Sequence, residues 1–355
     1  MTKVLPLVAP AIKSYSNHAH IFSILGAQKE NYYPWLYNHY VQLYAPDDSR
    51  SFLVDYMIDG MYTDTPNLFT CRIERRVALS IKDGIINFLR FMIDNGYYIY
   101  TDLNVSKIEA YKDENMEIHD PLLYGYDDEL EEIYFIDTYK RGKYSTGVAT
   151  YTEILEAIGN EANWDKMRVS DLDLDLLCMK CKNHNTMFRF NVETYVKLLE
   201  DYINKKDSYK SFWQIPGVIK GPEEHYICGI AIYDLMRKHL EYVRENDSNL
   251  DKRGFFVILE HKKILEQTML YLLGENWKEQ YVEESRLLQN EIDKATIALR
   301  LCLKYTITKE KDILEKLGKY AIELVENEKR LFPKIIEILK DKEEKVQFID
   351  EDIKM

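Results

Sequence analysis

No run of about 18 consecutive apolar residues occurs in the chain, so no membrane-spanning helix is expected. Cysteine is scarce. The five residues Cys71, Cys178, Cys181, Cys228 and Cys302 are odd in number and irregularly spaced, which argues against a disulfide framework and for a reducing, cytoplasmic setting. The opening stretch Met1–Ala11 lacks a full apolar core and a small-x-small cleavage pattern, so it does not read as a signal peptide. An excess of basic charge is also missing. The net charge of -13 disfavours nucleic acid and anionic membranes as partners, and is compatible with a small cationic substrate such as an amine. No internal repeat is visible.

What is present is an ordinary globular composition, 46% hydrophobic over 355 residues. At roughly 150 residues per domain this suggests two domains, or one large domain with an appendage. The 28 tyrosines would suit clefts that are apolar yet hydrogen-bonding, or reflect the codon bias of an AT-rich genome. Patterning predicts helices over Asn17–Gly26, with Asn17 as N-cap, over Trp35–Tyr44, ended by Pro46, and over Cys71–Met92, stopped by Asn95-Gly96. Strands are predicted at Tyr97–Leu103, Ile118–Tyr126 and Glu132–Asp137, the last two forming a hairpin across Asp127-Asp128. A short helix follows at Tyr151–Ile158. Met187–Phe190 reads as a strand and Val192–Ile203 as a helix, before a break at Ile215-Pro216-Gly217 and Gly221-Pro222. Beyond it, Tyr226–Val243, Phe255–Leu273, Trp277–Leu303 and Lys309–Leu339 read as a bundle of four long antiparallel helices, with a charged tail from Asp341 that is expected to fray.

The informative stretch is Ile118-His119-Asp120-Pro121-Leu122-Leu123-Tyr124-Gly125-Tyr126-Asp127-Asp128, followed by Tyr134-Phe135-Ile136-Asp137. A histidine opens one strand, a Gly-Tyr-Asp turn reverses the chain, and an aspartate ends the returning strand. In an antiparallel hairpin those two ends are adjacent. His119 and Asp137 are therefore the candidate catalytic base and its orienting carboxylate. Asp137 would fix the tautomer, leaving the other ring nitrogen to face a nucleophile. A surface histidine at a strand start is the plain alternative.

Together with Ser14-Tyr15-Ser16-Asn17-His18-Ala19-His20-Ile21-Phe22-Ser23-Ile24-Leu25, and with less specific blocks at Gly229–Asp234 and Leu259–Lys262, this order resembles the papain-like thiol enzymes of the bacteriocin-processing-peptidase type. Within that group it is most similar to the acyltransferases and amide synthetases related to the N-terminal domain of the butirosin acyltransferase. The resemblance covers the chain to about residue 150. It implies a papain-like catalytic domain at 1–160 in an α+β fold, to which the patterning adds a mixed connecting segment at 161–220 and a helical bundle at 221–355. It further implies an enzyme of nonribosomal peptide or polythioamide (closthioamide-type) biosynthesis that takes an acyl group from the phosphopantetheine thioester of an acyl or peptidyl carrier protein and passes it to an amine such as a diamine. The enzyme would have no cofactor of its own. A cysteine peptidase of the same fold and a non-catalytic carrier-binding protein are the alternatives.

One departure is central. The family's cysteine should open the first helix, and no cysteine lies within Asn17–His20; Ala19 stands at the nucleophile position. Either a cysteine has been replaced there or the protein has naturally lost its nucleophile. Ser16 and Cys71 are the weaker substitutes, and Cys228 reads as core packing. With a thiol at 19, the helix start and His119 would make a reactive thiolate. Backbone N–H groups at the helix start, with Asn17 and His18, would form the oxyanion and substrate contacts. Arg72, Arg75 and Arg76 form a basic cluster that suits a carrier protein or a phosphopantetheine phosphate, or simply a solvated helix face. Cys178-Met-Lys-Cys181-Lys-Asn-His184 offers three ligands where structural zinc needs four, so no metal is expected. Trp35 and Trp213 could line an aromatic acyl pocket or simply pack the core.

Overall fold

The computed structural model describes residues 1–27, 32–58, 65, 67–81, 84–159, 175–182, 188–208 and 226–352, the last eleven as helix backbone. In chain order the elements are β1 (Thr2–Val4), α1 (Ser16–Ala27), α2 (Tyr33–His39), β2 (Leu43–Pro46), β3 (Asp55–Tyr56), β4 (Leu68–Ile73), α3 (Arg75–Ser80), α4 (Gly84–Asp94), β5 (Tyr98–Tyr100), β6 (Leu122–Asp127), β7 (Glu132–Tyr139), β8 (Lys143–Thr150), α5 (Tyr151–Ile158), β9 (Leu176–Cys181), α6 (Val192–Ile203), β10 (Tyr226–Cys228), α7 (Ile232–Asn246), α8 (Arg253–Leu273), α9 (Trp277–Gln280), α10 (Val282–Thr308) and α11 (Asp312–Asp352). Helices and antiparallel strands are mixed, with a helical bundle at the C-terminal end, as in the α+β class. Among the described residues no helix is long and apolar enough to cross a membrane.

Two compact units result, and their boundaries differ from those expected at 160 and 220. The first takes Met1–Tyr32 and Gly60–Met187; the second takes Tyr33–Asp59 and Phe188–Met355. Residues 33–59 fall within the N-terminal domain expected at 1–160. They belong instead with the helices, because β2 pairs with both β3 and β10. The same pairing corrects the helix expected over Trp35–Tyr44: α2 ends at His39, and Leu43–Pro46 is the middle strand of a three-stranded sheet. Two-sided strand pairing overrides local propensity here.

In the first unit the strand order is β4-β9-β5-β6-β7-β8, with β1 also paired to β6. The helix expected over Cys71–Met92 is a strand, a short helix and a longer helix. Its first residues pair with β9, Cys71 opposite Cys178, and Gly84 takes φ +83 where the long helix begins. That left-handed angle is one that glycine adopts readily and other residues seldom do. The strand β8, half exposed along its length, was not foreseen because its polar residues carry little apolar alternation. The Tyr151–Ile158 helix forms as expected, with a capping box between Thr150 and Glu153.

In the second unit α11 packs against α6, α7 and α10, and α10 packs against α8. The bundle thus recruits α6, from the segment expected to be a connector. Phe188–Phe190, part of an expected strand, belongs to no strand. The helix expected from Tyr226 begins only at Ile232. Tyr226–Cys228 pairs with β2, and Gly229 at φ +58 makes the switch; a Cβ there would lie 2.1 Å from the Tyr202 carbonyl oxygen, so only glycine fits. The break at 215–222 lies outside the described residues, as do Trp213 and His184. The last helix extends as backbone to Asp352.

Candidate active site

The site begins with a proline. Pro121 cannot donate to a sheet ladder, and β6 starts after it, at Leu122. His119 is therefore not in the strand that was expected to begin at Ile118. It forms an isolated bridge with Leu103, its N–H donating to the Leu103 carbonyl at 3.0 Å and its carbonyl accepting from Leu103 N–H at 2.8 Å. Nor do Gly125-Tyr126-Asp127 make the turn. They are the last residues of β6, and Asp127 Oδ1 accepts from the N–H groups of Glu129 and Leu130 in the turn that follows. The register pairs Leu122 with Ile136, which leaves Asp137 just beyond the last pair, beside Asp120-Pro121.

Asp137 lies on the buried face of β7 with Ile133, Phe135 and Tyr139. A carboxylate with no exposure must be satisfied internally, and this one is. Its Oδ2 accepts from His119 Nδ1 at 2.6 Å and from Tyr111 Oη at 2.7 Å, and its Oδ1 accepts from Ser16 Oγ at 3.0 Å and from Thr138 N–H at 2.6 Å. Tyr111 is held in turn by ring contacts, 5.2 Å from Phe135 and 4.5 Å from Tyr139 between centroids. The arrangement fixes His119 with Nδ1 toward Asp137. Nε2 makes no hydrogen bond among the described residues, and the side chain is 25% exposed. His119 and Asp137 are thus brought together as the sequence suggested.

Helix α1 supplies the opposite wall. It is buried over Ser16 and His18–Leu25, as befits a helix at the centre of its unit. Residues three and four apart share a helix face, so Ser16, Ala19 and His20 lie together. Ser16 bonds Asp137. His20 Nε2 donates to the Asp120 carbonyl at 3.1 Å, so its Nδ1 accepts from Tyr144 Oη at 2.9 Å. Both neighbours of Ala19 on that face are therefore tied to the residues around His119. Ala19 itself has no exposed surface.

The weaker expectations fare differently. Helix α1 starts at Ser16, so Asn17 lies in its first turn and is not the N-cap. Asn17 Oδ1 accepts the His18 N–H at 2.9 Å, and the Ala19 N–H donates to the Tyr15 carbonyl at 3.1 Å. Those two backbone donors, expected to face an oxyanion, are spent within the helix start. The Asn17 carboxamide N–H groups make no hydrogen bond among the described residues and remain the better candidate donors. His18 is buried, its ring tilted 6.3 Å from that of Tyr15. The arginine cluster divides. Arg75 is buried, donating to the Ile158 carbonyl at 3.0 Å, Thr101 Oγ1 at 3.1 Å and the Asp102 carbonyl at 2.5 Å, so it pins loops inside the unit and cannot dock a carrier. Burial brings its pKa down to about 10. Arg72 is exposed and 3.4 Å from Asp175, and Arg76 is exposed. Ser16 donates to Asp137 and not to His119, which disfavours it as a nucleophile. Cys71 is a strand residue opposite Cys178.

Asp120 was missed. Its Oδ1 lies 3.2 Å from His119 Nδ1, and its other oxygen accepts from Tyr100 Oη. Only its position next to the histidine could have flagged it. His119, Asp120 and Asp137 bring a ring nitrogen and two carboxylate oxygens within 4.8 Å of one another, the one such cluster of metal-ligating atom types among the described residues. Burial opposes the charged form of His119, but the hydrogen bond and charge of Asp137, with the charges of Asp120 and Asp102, outweigh it and raise the ring to about 9. Burial pushes Asp137 up, yet the His119 bond and charge prevail and hold it below the usual carboxylate value. Burial and the neighbouring Asp137 charge raise Asp120 to about 7. Burial lowers His20 to about 4, which keeps it neutral in its bridging tautomer.

No protein-family model matches the chain, and no curated protein matches it significantly.

Proposed function

We propose that the first unit is a papain-like thiol acyltransferase scaffold, whose chemistry is amide formation from a carrier-bound thioester once position 19 carries a thiol. The observation that carries this reading is the His119–Asp137 pair beside the helix face formed by Ser16, Ala19 and His20. A cysteine at 19 would meet a ring already biased toward imidazolium, which stabilises a thiolate. The thiolate would attack the thioester carbon. The C–S bond to the enzyme forms, the bond to pantetheine breaks, and imidazolium gives its proton to the departing thiolate. The neutral ring then takes a proton from an attacking amine, a C–N bond forms, and the enzyme thiolate leaves. The Asn17 carboxamide is the candidate oxyanion donor. The partners are an acyl or peptidyl carrier protein and a small amine, and the setting is cytoplasmic biosynthesis of a nonribosomal peptide or polythioamide. Because position 19 has no exposed surface, side chains over it must move for the acyl group to enter.

A second reading is favoured by Ala19 itself: a non-catalytic protein that uses the same unit to hold a carrier. Intact mass of an Ala19→Cys protein after incubation with acyl-loaded carrier separates the readings. An acyl adduct released by a diamine is the expected result. Cleavage of peptides without amide formation would make the protein a peptidase, and absence of any adduct leaves the binding reading.

A further inference from the structure

His119 Nδ1 does not face a single carboxylate. Asp137 Oδ2 is 2.6 Å away and Asp120 Oδ1 is 3.2 Å away. The two aspartates reach the ring differently. Asp137 comes from β7 and is fully buried, with donors from Tyr111, Ser16 and the backbone around it. Asp120 is adjacent to His119 in the chain, is 18% exposed on its side chain, and is fixed by Tyr100 Oη from β5. Its backbone carbonyl accepts His20 Nε2–H from α1. His20 is in turn held by Tyr144 of β8 and lies edge-on to Tyr100, 5.0 Å between centroids. One residue therefore touches the ring with its side chain and the helix bearing position 19 with its backbone.

We propose that Asp120 is a positioning residue for His119: its carboxylate, 3.2 Å from Nδ1, attracts the imidazolium beside the Asp137 hydrogen bond, and its carbonyl fixes the ring's end of the sheet to α1 through His20. The proposal deepens the acyl-transfer reading, and rests on it for the word positioning. With Asp137 alone, the ring could pivot about one hydrogen bond. A second carboxylate 3.2 Å from Nδ1 adds an attraction that limits that pivot. The charges facing the ring are Asp137 from β7, Asp120, and Asp102 next to the Leu103 bridge; His20, from α1, is the neighbouring base. Burial and the Asp137 charge bring the ionisation of Asp120 to about 7, so its hold on the ring strengthens as pH rises through that value.

The test uses the protein as it stands, with Ala19. NMR titration of its eight histidines is assigned for His119 by the signal that disappears in His119→Gln. Asp120→Asn should lower the His119 midpoint by about one pH unit, the effect of losing an opposite charge at this range, and Asp137→Asn should lower it further. Asp120→Glu should restore the high midpoint. A His119 midpoint unchanged in Asp120→Asn, with Asp137→Asn lowering it, overturns the proposal. If Asp120→Asn does not fold, Tyr100→Phe removes the hydroxyl that holds Asp120; a smaller fall in the same direction supports the proposal and no fall contradicts it. No acyl transfer is needed for this readout. An inert Ala19→Cys protein would therefore sink the acyl-transfer reading while leaving the charge arrangement measurable, and a failed titration would sink the proposal while leaving acyl transfer open.

Discussion

At the scale of single residues, the site is a buried polar network centred on Asp137. Asp137 accepts from four groups, and His20 bridges two elements as a neutral ring. The consequence for stability can be signed. His119 is raised to about 9 in the fold, against an unfolded value near 6.5. Its stabilising contribution is therefore complete below about 6.5 and is lost as pH rises through about 9. Urea unfolding followed from pH 7 to pH 10 should show a decline that is shallower in His119→Gln; identical slopes would contradict it. His119 and Asp137 were legible in the sequence because a hairpin dictates which residues become neighbours. Asp120, Tyr111 and Ser16 were not, since their roles come from loops and from a helix that sequence spacing does not place. Arg75 was misread because three arginines within five residues look like one surface patch, while strand and helix geometry send Arg72 and Arg75 to different environments.

At the scale of elements, short helices were legible from local pattern: Tyr151–Ile158 and Val192–Ile203 form as expected, and the structure shows them capped by Thr150 and Asn191. Elements made by distant pairing were not. Leu43–Pro46, Leu68–Ile73 and Tyr226–Cys228 are strands because partners far along the chain complete their ladders, and helical spacing of their apolar residues competes with that signal. One of these pairings has a chemical outcome. Cys71 and Cys178 are direct partners across antiparallel strands, and their thiols interact. Opposite residues in such a pair have Cα separations of about 4.5–5.5 Å, within the range a disulfide spans. Burial raises both thiols, so reaction should be slow at neutrality and faster in alkali. Incubation with excess oxidised glutathione at pH 8.5 should reduce the five titratable thiols to three, with a Cys71–Cys178 peptide by mass mapping and two glutathione thiols released. A Cys71→Ser protein should retain its remaining thiols, and five surviving thiols in the parent would refute the pairing.

At the scale of the whole molecule, each unit holds a buried charged centre of its own. In the helical unit Lys262 and Glu328 have no exposure and form an ion pair. Glu328 also accepts from Tyr202 Oη at 3.0 Å and Tyr233 Oη at 2.6 Å, and Lys262 lies 5.5 Å from the Tyr202 ring centroid. Burial, and then the Glu328 charge, raise nearby Glu291 to about 8, so it is largely protonated at neutral pH. Removing one partner of a buried pair leaves a naked charge and costs about 3–5 kcal/mol. Glu328→Gln should lose about that much in urea unfolding, and Lys262→Met/Glu328→Leu together should lose less. A loss near zero for Glu328→Gln would show that the pair is not closed to water. The central claim concerns the other unit, and one measurement reaches it most directly: the rate at which iodoacetamide alkylates residue 19 in the folded Ala19→Cys protein at pH 6, read by peptide mass. The account predicts alkylation well above that of an ordinary thiol with a pKa near 8.5, falling at least tenfold when His119 is replaced by alanine. A residue-19 thiol that is no faster than an ordinary cysteine, or that is indifferent to His119, would contradict it.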